Sequence, residues 1–204
     1  MSLKPIYYSI LTMILILSFS CTENKSSQVS LPNNSDTIKV VSNPTPKFPE
    51  DWIGTYKGDL QWFSKDKITT IPMTIEIQII DSLPNTYLWR STYDSTARFP
   101  KVVKDYYLVH PDSLAEGHYL IDEKDGIYLD MILIDNSFYS NFEVGNSSLM
   151  TIDRLQADGS IFHEIVSSPQ NAVRESGTMS DGQYFGVKSY SKIGTQKAIL
   201  KRQK

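Results

Sequence analysis

A single cysteine, Cys21, excludes an intrachain disulfide and any cysteine-rich metal site. Charge of either sign is also in short supply, with 20 Lys and Arg against 23 Asp and Glu and a net charge of −3. No electrostatic reason to expect nucleic acid follows. There is no Gly-x-Ser-x-Gly and no glycine-rich loop after a strand, so the common nucleophile elbow and phosphate cradle are missing. The three histidines give no metal set. His163 and Glu164 are adjacent and would point to opposite faces of a strand, while His118 and Asp122 share a face but lie about 13 Å apart at about 3.3 Å per residue. The acidic "DEKDG" lacks the alternating oxygen ligands of a calcium loop and reads as a solvated turn. With no acid, base and nucleophile that can be placed together, a non-enzymatic role is expected.

The longest apolar run, Ile6 to Leu17, is too short to span a bilayer comfortably. Lys4 precedes it, and Ser18-Phe19-Ser20 separates it from Cys21, the order of a signal peptide over residues 1–20. The stretch "LILSFSCTENKSS" resembles the lipobox of bacterial lipoproteins, in the loose form found among the Bacteroidota. That resemblance implies lipidation of Cys21 and a membrane partner through the acyl chains. Thr22, rather than Asp, after the cysteine points to the outer membrane of the cell envelope.

Residues 21–47 hold the cysteine and then "TENKSSQVSLPNNSDTIKVVSNPTPK", rich in Ser, Asn, Thr and Pro and too polar to form a core. This is the composition of a flexible linker. Residues 48–204 are one domain by length. Within it apolar residues alternate with period two and Gly, Asn and Asp fall between the runs, predicting strands near 52–63, 70–80, 86–93, 102–109, 117–123, 127–134, 137–144, 148–156, 160–166 and 183–191, with a further one at 196–202. "TIPMTIEIQII" is the clearest, with Ile71, Met73, Ile75, Ile77 and Ile79 on one face.

Hydrophobic matching then selects the turns, because a one-residue slip sends a strand's apolar side chains to water. A two-residue turn at Asp135-Asn136 opposes Leu133 to Phe138, Met131 to Ser140, Leu129 to Phe142 and Ile127 to Val144. A three-residue Lys124-Asp125-Gly126 loop, with Gly126 left-handed, opposes Ile121 to Leu129 and Tyr119 to Met131. By the same rule Gly145-Asn146-Ser147 sets Phe142 against Met150 and Ser140 against Ile152, and Asp158-Gly159 sets Ile152 against Ile165, Gln156 against Ile161 and Arg154 against His163. The inner face so built is apolar except for Ser140, Gln156, Arg154 and His163. A buried arginine needs a partner, so the expectation is a wet mouth at Arg154 or an anion meeting it.

About ten sequential antiparallel strands favour an all-β, up-and-down barrel, because an open meander that long would leave two edges exposed. A Greek-key sandwich stays open as an alternative, since the connections at 94–101 and 167–182 could cross over. "WIGTYKGDLQWF", with Trp-x-Gly-x-Tyr-x-Gly, resembles the opening strand of calycin-type barrels, which include lipocalins, fatty-acid-binding proteins and nitrobindins. Nitrobindins bind haem through a histidine, but that family's ligand has no matching position here, and no cofactor is expected. The whole architecture is similar to that of Bacteroidota lipoproteins. Two functions remain. In one the barrel binds a small apolar or amphipathic ligand, with Arg154, His163, Ser140, Trp52, Tyr56, Trp89 and Tyr93 as its binding residues. In the other the interior is packed, and the domain is a structural or interaction module of an envelope complex.

Overall fold

The computed structural model describes residues 46–64, 67–191 and 194–204. Signal peptide, Cys21 and nearly all of the linker lie outside them. The alternation in "TIPMTIEIQII" becomes a strand in which Ile71, Met73, Ile75 and Ile77 are buried, while Ile79, at its end, is exposed. The same period-two logic runs through the strands of a barrel, and the described residues form twelve strands in all. They are β1 (Gly54–Ser64), β2 (Lys67–Ile79), β3 (Thr86–Tyr93), β4 (Val102–Val109), β5 (His118–Asp122) and β6 (Tyr128–Ile134), then β7 (Ser137–Val144), β8 (Ser147–Leu155), β9 (Ile161–Pro169), β10 (Arg174–Ser180), β11 (Gln183–Ser189) and β12 (Gly194–Arg202).

Ten of them close into an antiparallel barrel in the order β1-β12-β9-β8-β7-β6-β5-β4-β3-β2, which leaves no free edge. Neighbours in the ring are neighbours in sequence except where β10 and β11 leave it and where β12 pairs with β1 to close it. The up-and-down barrel holds, and the sandwich does not. The closing seam needs Gly58: a Cβ there would lie 2.4 Å from the Ile199 carbonyl oxygen, closer than any side chain allows.

The predicted strand at 183–191 is corrected. Its residues form β11, which pairs with the unforeseen β10 in a separate two-stranded sheet and not with the barrel. This hairpin rises from the end of β9 and returns at the start of β12, and both of its faces are exposed.

The β5–β6 and β6–β7 turns match the expected registers: Ile121 faces Leu129, Tyr119 faces Met131, and Leu133 faces Phe138. Gly126 has φ +96°, as the bulged loop requires. β8 is corrected. Its turn from β7 is the two-residue Gly145-Asn146, so Phe142 faces Leu149 and Ser140 faces Thr151; across the next ladder Asp153, not Arg154, faces His163. The two slips cancel, because β7 and β9 keep their expected faces and β8 alone is turned over. Leu149, Thr151, Asp153 and Leu155 point inward, and Met150, Ile152 and Arg154 point outward. Arg154 is exposed, with its Nε donating to Ser137 Oγ at 2.9 Å. Gln156 sits in the β8–β9 turn, donating to Ser160 Oγ.

The barrel's two ends differ. At the end where β1 begins, Phe48, Trp52, Tyr87, Trp89, Tyr119 and Phe138 interlock, with edge-to-face contacts at ring-centroid distances such as 4.7 Å for Phe48–Tyr87 and 5.1 Å for Trp52–Phe138. Edge-to-face pairs add roughly 0.5–1.5 kcal/mol each beyond the area they bury. The Lys47–Ile53 turn, held by Trp52 N–H to the Pro49 carbonyl at 2.9 Å, tucks Trp52 completely into this plug. Tyr56 is equally buried, and its hydroxyl donates to the Trp52 carbonyl at 2.8 Å. One end is therefore a packed floor.

Candidate ligand cavity

Above the floor the inward residues are shorter or more polar, and the barrel is hollow. The cavity measures about 580 Å³, within the roughly 300–1,000 Å³ of small-molecule sites. Trp89, Ile121 and Met131 lie at its base, and Leu129, Phe142, Leu149 and Ile165 form an apolar wall toward the mouth. The mouth lies between Tyr93 at the end of β3, Lys104 on β4, Glu123 after β5 and Glu143-Val144 at the end of β7. Part of that rim is occupied by the β3–β4 connection, where Phe99 leans on Trp62 with ring centroids 5.7 Å apart beside a second hollow of about 260 Å³.

Deep on the wall, Asp153 Oδ1 and His163 Nδ1 lie 2.7 Å apart, and the two residues are 4% and 6% exposed. A carboxylate only accepts, so Nδ1 carries the proton and donates it to Asp153. Nε2, at the far side of the ring, is buried and has no hydrogen-bond partner. A buried polar atom without a partner is costly, of the order of 1–3 kcal/mol. Trp52 Nε1 and Thr195 Oγ1 are also unpartnered, but neither residue lines the cavity.

The Asp153 carboxylate also acts on its surroundings. Burial, and after it the Asp153 charge, pushes the Tyr93 phenol up to about 12. Tyr106 is raised as well, by burial first and then by the charge and hydrogen bond of Glu123. Ser140, at the same depth, donates its hydroxyl to the Asp130 carbonyl at 2.6 Å and so is already satisfied. Among the described residues no hydroxyl engages Nε2. Among the described residues no three His, Cys, Asp or Glu side chains gather as a metal site would need. His118 meets Asp130, not Asp122, at 2.8 Å.

Of the residues expected to bind a ligand, His163, Ser140, Trp89 and Tyr93 line the cavity. Trp52 and Tyr56 belong to the floor beneath it. Arg154 is outside the barrel, and Cys21 lies outside the described residues. Asp153 was missed, although the sequence held a signal for it: facing His163, an aspartate can accept a hydrogen bond, whereas an arginine in that place would set cation against imidazole.

No protein-family model matches the chain, and no curated protein does. Among solved structures it is similar to a protein of unknown function from the DUF3598 family of Nostoc punctiforme, with a TM-score of 0.51 and 12% identity over 79% of this chain and 51% of that one. The chain thus spans about half the length of that protein. An S-type phycobiliprotein lyase from Guillardia theta superposes with a TM-score of 0.48 and 9% identity, over 76% of this chain and 90% of that chain. The likeness to the Nostoc protein concerns the fold alone, and this chain's fold is a closed, ten-stranded antiparallel β-barrel.

Proposed function

We propose that this chain is a lipoprotein anchored through acylated Cys21 to the outer membrane, and that its barrel holds a small apolar or amphipathic ligand. The observation that carries the binding half is the hollow of about 580 Å³, open at one end and closed by packed aromatics at the other. Interiors normally pack to crystal density, and an empty lining forfeits dispersion contacts. A barrel with a purely structural role would be more stable with that half filled. The unpartnered Nε2 of His163 adds a second reason, since a bound molecule can supply the missing partner.

Native mass spectrometry of the protein gently purified from its own host tests this reading. A co-purifying small molecule is expected, and it should be lost from Thr151→Trp, which fills the cavity from its wall. Bare protein in both preparations overturns the carrier. The anchoring half rests on the lipobox resemblance, with Cys21 at the junction of apolar and polar sequence. Wild-type protein should partition into the detergent phase and fractionate with outer membranes, and Cys21→Ser should not.

A further inference from the structure

The lining's charges say which ligands the cavity admits. Its ionisable groups, apart from the two tyrosines, are Lys104, Glu123, Glu143, Asp153 and His163. Carboxylates outnumber cations whichever protonation state His163 takes. With Arg154 on the outer surface, no arginine waits inside for an anion, and the nearest cation to the mouth is the solvent-exposed Lys104. A carboxylate guest entering head-first would have to be desolvated beside Asp153 with no lysine or arginine at that depth.

Position matters as much as sign. The buried polar groups Asp153 and His163 are deep, with Asp153 directly across from the floor residue Phe138, while Leu129, Phe142, Leu149 and Ile165 are nearer the mouth. An amphipathic guest that enters polar group first brings that group to the buried pair and lays its apolar body against the upper wall. With its Nδ1–H donating a hydrogen bond to Asp153, the imidazole in its neutral form offers a lone pair at Nε2. Its complement is a donor.

We infer that the cavity selects amphipathic molecules whose headgroup donates a hydrogen bond and bears no negative charge, an alcohol or an amine, held head-first on His163 Nε2, and that it rejects fatty-acid-like carboxylates. This rests on the carrier reading above. Three probes of one chain length, dodecanol, dodecylamine and dodecanoate, separate the two ideas when titrated into the protein in mildly alkaline buffer. Dodecanol and dodecylamine should bind at least about tenfold more tightly than dodecanoate, the worth of roughly one well-made hydrogen bond. Dodecanol should also move the side-chain nitrogen resonance of His163 Nε2. Asp153→Asn should narrow the gap. Glu143→Lys, at the exposed rim and without risk to the core, should narrow it less, because solvent screens that site. Dodecanoate binding as well as the other two overturns the headgroup selection and leaves the carrier standing. Failure of all three to bind overturns the carrier itself.

Discussion

Asp153 and His163 are direct partners across the β8–β9 ladder, bonded Oδ1 to Nδ1 at 2.7 Å, with the other imidazole nitrogen buried and left without a partner. The pair fixes the ring's tautomer and orientation in the way a carboxylate orients a histidine in a metal or acid–base site. Here it leaves one buried, unpartnered nitrogen on a residue that lines the hollow. Neither member could be spared without stranding the other in a buried position.

Asp153→Ala should accordingly destabilise the barrel by about 3 kcal/mol, the lower end of what breaking a buried pair costs. The adjacent Arg154→Leu should cost no more than about 1 kcal/mol, since it loses only an exposed arginine's bond to Ser137. Urea denaturation of both variants checks this. Comparable losses would mean that the β8 register is not the one described.

Alkaline pH should weaken the fold partly through Tyr93. Its folded-state value is raised, so the stability tied to keeping the phenol neutral is fully present below the ordinary 10.0 and is lost as pH rises toward about 12. Tyr56, Tyr87, Tyr106 and Tyr119 are raised too, each by burial first. Tyr93→Phe should make the decline shallower by up to about 1.4 kcal/mol per pH unit in that window, because one proton fewer is released on unfolding. Denaturation midpoints across the alkaline range measure the slope.

Two glycine substitutions should differ in kind. Gly58→Ala drives a methyl into the Ile199 carbonyl at the seam and should cost about 3 kcal/mol or more. Gly126→Ala meets nothing within 4 Å and is strained only by its φ of +96°, for about 1–2 kcal/mol. Thermal unfolding of the two variants ranks them, and the reverse order would contradict the close approach of β1 to β12.

The β10–β11 hairpin should behave as an appendage. It buries neither face, with Met179 63% exposed and Tyr184 62% exposed, and a lone two-stranded ribbon is marginally stable in water. Within residues 48–204, limited proteolysis should cut there first. Replacing Val173–Tyr190 by a short turn should move the denaturation free energy of the barrel by less than about 0.5 kcal/mol.

Much of this architecture was legible because period two is a strong signal wherever one face is buried. β2 could be read as a strand with one buried face, β5, β6 and β7 with the two registers that join them, and Gly126 marked its own turn. β8 misled for a physical reason. Its two faces are similarly apolar, Met150 and Ile152 against Leu149 and Leu155, so hydrophobic matching could not separate them. The deciding residue was a charged one, Asp153, whose burial only its pairing with His163 makes affordable. β10 was invisible for the opposite reason: "RESGTMS" buries no face and so carries no alternation. Trp52 and Tyr56 were correctly seen as inward, but the sequence does not mark the depth at which aromatic floor gives way to cavity.

The seam at Gly58 has a kinetic meaning. Tyr56 pairs with Arg202 and Ser64 with Gly194, so the ring closes only when the two ends of the domain's sequence meet. Such a topology has high contact order: most of the loop entropy is surrendered before the last ladder returns any stabilisation, and folding of this kind runs in milliseconds to seconds, not microseconds. Until β12 docks, β1 and β9 are open edges, and the half-formed sheet is a template for pairing with other chains. Aggregation during refolding should therefore rise most steeply for variants that delay this final strand, whatever their effect on the finished barrel.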